Sequence, residues 1–199
     1  MKTRKRQKKP SVELPSMEQV QVEKRRLSYK TRYKRTLRST VAVLIVVSAI
    51  AILVATLWMP VLQIYGTSMT PTLTDGEMIF TLKTSKFEPG DIIAFYYNNK
   101  ILVKRVIAEA GDWVDIDEDG TVYVNEKAID EKYLQEKAYG DVNIDLPYQV
   151  PDGKIFVMGD HRATSVDSRN TAVGCVSQEQ VVGKILFRIW PLKRWGTVK

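Results

Sequence analysis

Hydrophobic and polar positions divide the 199-residue chain into three stretches with different periods. Residues 1–38 are polar. From Ser39 to Met59 no charged residue occurs over 21 positions, STVAVLIVVSAIAILVATLWM. At ~1.5 Å per residue this run is roughly 31 Å long as a helix, enough to cross the hydrocarbon core of a bilayer. Pro60 predicts its end. From Val61 onward the pattern changes to short runs rich in β-branched and aromatic residues: VLQIYG, EMIFTL, DIIAFYY, ILVKRVIA, DWVDID, TVYVN and KIFVMG. Gly, Asn or Asp punctuates them, which predicts strands. The fold expected is mainly β, a single N-terminal transmembrane helix followed by an antiparallel β-sheet domain.

Two hairpins stand out. Asn98, Asn99 and Lys100 separate DIIAFYY from ILVKRVIA, and Glu118, Asp119 and Gly120 turn DWVDID back into TVYVN. Residues 126–153 are polar with weak periodicity and read as a surface excursion or an extended flap. The segment KTRKRQKKPSVELPS at residues 2–16 has a disordered composition.

Charge changes the picture of the first stretch. The chain is +7 overall, yet residues 1–38 hold 14 Lys plus Arg against three Glu, so the other 161 residues carry −4. A basic region before an apolar one fits a cleavable signal peptide as well as an anchor. The length of the basic region, and the apolar residues that follow Ala49 and Ala51, favour an uncleaved anchor. The positive-inside rule then leaves 1–38 as a cytoplasmic tail, 39–59 as the membrane span and 60–199 as an extracytoplasmic domain. A nucleic-acid arm is the other reading of the tail. No nucleic-acid fold accompanies it, so a lipid-facing tail is expected and no nucleic-acid partner. One cysteine, Cys175, excludes an intrachain disulfide. One His and one Cys fall short of a zinc ligand set, so no metal or cofactor is expected.

The candidate chemistry lies in three places. Ser68, in GTSMTPTL, follows the span closely. Lys104, in ILVKRVIAEAGD, is a lysine set in a long apolar run. A serine needs a base, and a lysine buried among apolar side chains can lose its proton and act as one. The bland readings are a turn serine and an edge-strand lysine with its ammonium in water. Strand geometry puts Leu102, Lys104 and Val106 on one face and Val103, Arg105 and Ile107 on the other. At most one of these faces can be ordinary solvent surface. The third place, GDHRATSVDSRNT at 159–171, packs Asp160, Arg162, Ser165, Asp167, Ser168 and Arg169 into ten positions. It suits a loop held by charge-assisted hydrogen bonds, or a solvated polar turn.

GTSMTPTL, VKRVIAEAGD and GDHRATSVDSR, in this order after an N-terminal anchor, resemble the boxes of type I signal peptidases, specifically the single-anchor Gram-positive form. The resemblance covers residues 40–190. It implies a membrane-bound serine endopeptidase that removes signal peptides through a Ser/Lys dyad and an acyl-enzyme. Ser68 would be the nucleophile, Lys104 the general base and Ser165 the hydroxyl that orients it. Asp160 with Arg105, and Asp167 with Arg169, would be structural ion pairs that brace the last loop against the lysine strand. Met69 and Leu73 would line the pocket for the small residue before the cleaved bond. Secretory preproteins with small residues at −1 and −3 would be the substrates, with membrane lipid and the export translocon nearby.

Two positions depart from the family pattern. His161 stands where an asparagine is usual, and since Lys104 keeps the lysine position, His161 is expected to be structural or accessory. Gly66 stands where Gram-negative members place a serine that donates to the oxyanion, so backbone N–H groups, foremost that of Ser68, would form the oxyanion hole. Self-cleaving repressors also pair a serine with a strand lysine, but they need a DNA-binding module where this chain has an apolar span. A sortase-like transpeptidase would use Cys175, His161 and an arginine such as Arg188; Cys175 lies only 14 residues from His161, which does not suit that arrangement. A non-catalytic membrane-anchored β module is the remaining alternative.

Overall fold

The computed structural model describes residues 16–58, 60–84 and 86–198. The disorder expected of residues 2–15 therefore concerns residues outside those described. Helix α1 runs from Met17 to Trp58, so the basic segment and the apolar run share one helix. It begins much earlier than the apolar pattern. The reason is local: Ser16 and Gln19 form a capping box, with Gln19 N–H donating to Ser16 Oγ at 3.3 Å and Ser16 N–H donating to Gln19 Oε1 at 3.0 Å. Lys, Arg, Glu and Gln in the following turns are good helix formers. From Val41 to Leu57 the apolar side chains are exposed. Among the described residues this is the one helix long and apolar enough to cross a membrane.

The rest is antiparallel β structure. Its strands are β1 (Val61–Gln63), β2 (Met78–Leu82), β3 (Ile92–Tyr97), β4 (Lys100–Ala108), β5 (Trp113–Ile116), β6 (Val122–Val124), β7 (Lys127–Ala128), β8 (Tyr148–Gln149), β9 (Lys154–Met158), β10 (Val176–Ser177), β11 (Val181–Trp190) and β12 (Gly196–Thr197). The larger sheet has the order β1-β2-β11-β3-β4-β9-β10, with β12 also on β11. The smaller has the order β7-β6-β5-β8. All seven runs marked in the sequence are strands. β11, VVGKILFRIW, was not among them, although its Val, Ile and Phe content is a strand signal. It is central to the larger sheet, pairing β2 on one side and β3 on the other.

The first hairpin is tighter than the sequence suggests. Tyr97 pairs with Lys100, so Asn98 and Asn99 alone form the turn, Asn98 with φ 51°, a left-handed geometry that asparagine accepts. The excursion at 126–153 is pinned: Ile129, Ile144, Leu146 and Tyr148 pack on a core with Ile107, Val114, Val122 and Phe156.

From Lys104 to Ala108 strand β4 is buried on both faces. Val106 joins a core with Ile93, Phe95 and Val157. Val103 packs against a different one, with Met69, Leu73 and Ile92. Neither Lys104 nor Arg105 is on solvent surface.

Candidate active site

Ser68 sits in a closed turn between β1 and β2. Ile64 N–H donates to Glu77 O at 2.8 Å and Gly76 N–H donates to Ile64 O at 2.9 Å, which ties the two ends together. Inside, Gly66 adopts φ 90° and donates its N–H to Asp75 Oδ1 at 2.7 Å; a side chain at this φ would be strained. Leu73 N–H returns to Met69 O at 2.9 Å. Ser68 is half-buried, and its carbonyl accepts the His161 N–H at 3.0 Å. Among the described residues nothing accepts the Ser68 N–H.

Lys104 is 3 % exposed. Burial lowers its pKa from 10.5 to about 8; Asp167 opposes that shift, Arg169 adds to it and Asp160 opposes it. No hydrogen bond or ion pair engages its amine among the described residues. Burial outweighs the two carboxylates, each of which is already paired with an arginine.

Asp160 accepts Arg105 Nε at 2.9 Å and Arg105 Nη2 at 2.7 Å, and the Thr72 hydroxyl donates to its Oδ2. Arg105 also donates to Gly90 O at 2.7 Å and stacks 3.8 Å from the centre of the Tyr133 ring. Asp167 accepts Arg169 Nε at 2.8 Å and Arg169 Nη2 at 2.9 Å. The first pair joins β4 to the loop after β9. The second is internal to that loop, and Arg169 reaches the excursion instead, donating to Tyr139 O at 2.7 Å. All six polar residues of the loop singled out in the sequence are buried, so the solvated-turn reading does not hold.

Gly159 brings the three boxes together. The register of β4 with β9 pairs Arg105 with Met158, and one more step sets Lys104 opposite Gly159. A Cβ at Gly159 would stand 2.2 Å from Ser165 Oγ and 2.5 Å from Ser68 O. The Ser165 hydroxyl is buried and has no hydrogen-bond partner among the described residues. Gly159 is itself fixed at both ends, its N–H donating to Asp167 Oδ2 at 2.9 Å and its carbonyl accepting Arg162 Nε at 3.1 Å. Arg162 is balanced by Glu131 from the excursion. Gly159, Thr72, Glu131 and Tyr133 were not picked out as site residues. For Gly159 the signal was its place at the start of the third box; Glu131 lies in a polar stretch with no pattern.

A groove of about 800 Å³ runs beside Ser68. Leu62, Ile64 and Met69 from β1 and the Ser68 turn line it together with Ile101, Leu102 and Val103 from β4. Leu73 is fully buried beneath Met69 in the same core and does not line the groove. His161 touches this region through its backbone, and its ring Nδ1 pairs with Thr164 Oγ1 at 2.9 Å. Cys175 packs against the core under the smaller sheet, and burial raises its thiol pKa. That is the opposite of what a thiolate nucleophile needs.

A family model described as signal peptidase, peptidase S26, matches residues 37–190. Signal peptidase I of Bacillus licheniformis is 39 % identical over 174 residues, covering 81 % of this chain and 92 % of that protein. Signal peptidase IB of Staphylococcus aureus strain Mu50 is 41 % identical over 152 residues, covering 66 % and 78 %. The crystal structure of a signal peptidase I from Enterococcus faecalis V583 aligns at 32 % identity with a TM-score of 0.43, covering 50 % of this chain and 96 % of that one.

Proposed function

Since the chain belongs to the signal peptidase S26 family of serine peptidases, we propose that it cleaves signal peptides from exported preproteins with Ser68 as nucleophile and neutral Lys104 as general base. One observation carries the reading: a lysine, buried and with no ion pair among the described residues, its pKa drawn down to about 8, one position before the Arg105–Met158 pair and so beside Gly159, which packs against Ser68 and Ser165.

Lys104 Nζ takes the proton of Ser68 Oγ, and Oγ attacks the carbonyl carbon of the scissile bond. The unused Ser68 N–H is the donor available to the oxyanion. The lysinium then protonates the departing amine and leaves an ester on Ser68. Water, deprotonated by Lys104, hydrolyses that ester. Ser165, buried beside Asp167 and Gly159, is the hydroxyl that orients the amine. The ion pairs of Asp160 with Arg105 and Asp167 with Arg169 hold the two carboxylates so that they do not fix a proton on Lys104.

The groove suits an extended peptide whose alternate side chains point to one wall. Met69 bounds the space for the residue at −1, which favours Ala there and at −3; Leu73 backs Met69 from the core. The substrates are exported preproteins, reached at the membrane surface beside the export translocon. Residues 1–38 then lie in the cytoplasm, 39–59 in the membrane, and 60–199 form the extracytoplasmic peptidase domain. Anchoring in the bilayer that also holds the signal helix raises the effective substrate concentration.

The test is cleavage of a preprotein with an Ala-X-Ala junction by the detergent-solubilised protein. Ser68→Ala and Lys104→Ala should abolish cleavage while Cys175→Ala retains it. Full activity in Ser68→Ala would overturn the reading.

A further inference from the structure

The C-terminal segment reaches back to the turn that carries Ser68. After β11 the chain makes a short 3₁₀ turn, Leu192–Arg194, and returns as β12 beside β11, Arg188 opposite Gly196 and Phe187 opposite Thr197. Trp195 packs edge-on against Phe187 with ring centroids 4.8 Å apart. Packing and strand pairing together fix where Arg194 is delivered. Arg188 Nη1 donates to the Arg194 carbonyl at 3.3 Å, which ties the backbone of the 3₁₀ turn to β11.

Both converge on Glu77. This carboxylate is 1 % exposed. Arg188 Nε lies 2.8 Å from its Oε2 as an ion pair without hydrogen-bond alignment, and Arg194 Nη1 donates to its Oε1 at 2.7 Å. One arginine would suffice to neutralise it. Each arginine also donates through Nη2 to a backbone carbonyl of the Ser68 turn. Arg188 Nη2 donates to Thr72 O, Arg194 Nη2 donates to Pro71 O at 3.2 Å, and Arg194 Nη1 also reaches Thr74 Oγ1 at 3.2 Å. Glu77 closes the same turn through its carbonyl, which accepts Ile64 N–H. Thr72 in turn donates its hydroxyl to Asp160.

We propose that Arg188 and Arg194, seated on Glu77, are positioning residues that clamp the carbonyls of Pro71 and Thr72 and thereby aim Ser68 and Met69 at the groove. The proposal rests on Ser68 being the nucleophile. Only Met69 and Thr70 separate Pro71, whose carbonyl is clamped, from Ser68, and Met69 is buried, so a shift at one is passed to the other. Guanidinium forks suit this task because each can hold a carboxylate and a carbonyl at once, which an ammonium cannot do in fixed geometry. Arg194 lies beyond the residues matched by the family model.

Arg194 is the variant site of choice. Its side chain is 41 % exposed, and its removal leaves Arg188 on Glu77, so no bare buried charge results. The experiment compares the full-length wild type with Arg194→Ala, Arg194→Lys and Ser68→Ala on an Ala-X-Ala preprotein, together with thermal melts and amide exchange. Arg194→Ala should lower kcat about tenfold or more with KM changed by less than about twofold, the signature of a misaimed nucleophile. Its pH limb should stay where it is in the wild type, and amides of residues 67–73 should exchange faster. Arg194→Lys should recover part of kcat. Wild-type kcat in Arg194→Ala, or a loss that merely follows a fall in Tm, would overturn the clamp. If Ser68→Ala also retained activity, the nucleophile assignment would fail instead, and that single variant tells the two failures apart.

Discussion

Asp167 Oδ2 accepts the Gly159 N–H at 2.9 Å, so the carboxylate nearest in influence to Lys104 also holds the backbone between Ser68 and Ser165. Burial by itself would raise the Asp167 pKa, but Arg169, the Gly159 N–H and the nearby Ser165 hydroxyl together hold it below the ordinary carboxylate value. It is therefore ionised, and its charge is spent on Arg169. A buried amine flanked by carboxylates already paired with arginine loses its proton near pH 8 rather than 10.5.

The pH dependence of cleavage follows from Lys104. With a pKa drawn down to about 8 the base is protonated below that value, so kcat/KM should climb through pH 6–8 and level off above it. A profile without a limb in that region, measured on a peptide with no titrating groups near the cleavage site, would exclude the amine as base.

The same shift predicts a stability cost. Between about 8 and 10.5 the unfolded chain binds more protons at this lysine than the folded one, so the group's contribution to stability rises with pH across that window and is at a constant minimum below it. Lys104→Met should be inactive yet more stable at pH 7, by up to roughly 3 kcal/mol. The gain should shrink as pH approaches 10.5. Urea unfolding at pH 7 and pH 10 measures both.

Gly159→Ala should cut activity by about a hundredfold or more, because its Cβ would enter the space of the Ser165 hydroxyl and the Ser68 carbonyl. Overpacking there should also destabilise by about 1–3 kcal/mol. Cleavage rates and chemical denaturation check this; near-normal cleavage would show that the three boxes are less tightly joined than this geometry requires.

Ser165→Ala separates an orienting role from a structural one. The hydroxyl is buried without a geometrically sound hydrogen bond among the described residues and lies close enough to Asp167 to help hold its carboxylate ionised, so its removal should cost at most about 1–2 kcal/mol of stability while activity falls steeply. His161→Ala should keep most of its activity, since the contact with Ser68 is made by the backbone N–H. Parallel assays and melts of the two variants should therefore diverge.

Asp160→Ala should destabilise by about 3–5 kcal/mol, since it strands Arg105 at 2 % exposure without its carboxylate. A denaturation midpoint unchanged from the wild type would contradict a buried bidentate pair.

Much was determined by the sequence alone, because its signals were local or periodic. The uncharged run from Ser39 to Met59, seven strands and the order of three short boxes could all be read without coordinates. Period and propensity act over a few residues, so they survive in one dimension. β11 could have been read by the same rule and was passed over. The start of α1 depended on a cap at Ser16, which lay in a stretch judged by composition.

Only the tertiary structure decided what depends on residues far apart in the chain. Both faces of β4 are covered, which turns Lys104 from an ordinary lysine into a buried amine; burial is a property of the packed domain. Glu131 and Tyr133 join Arg162 and Arg105 from a segment that reads as polar surface. Arg194, 117 residues from Glu77, meets it because the chain folds back after β11. Ion pairs of this kind leave no periodic trace, since their energy comes from excluding water around both partners, and no single segment encodes that.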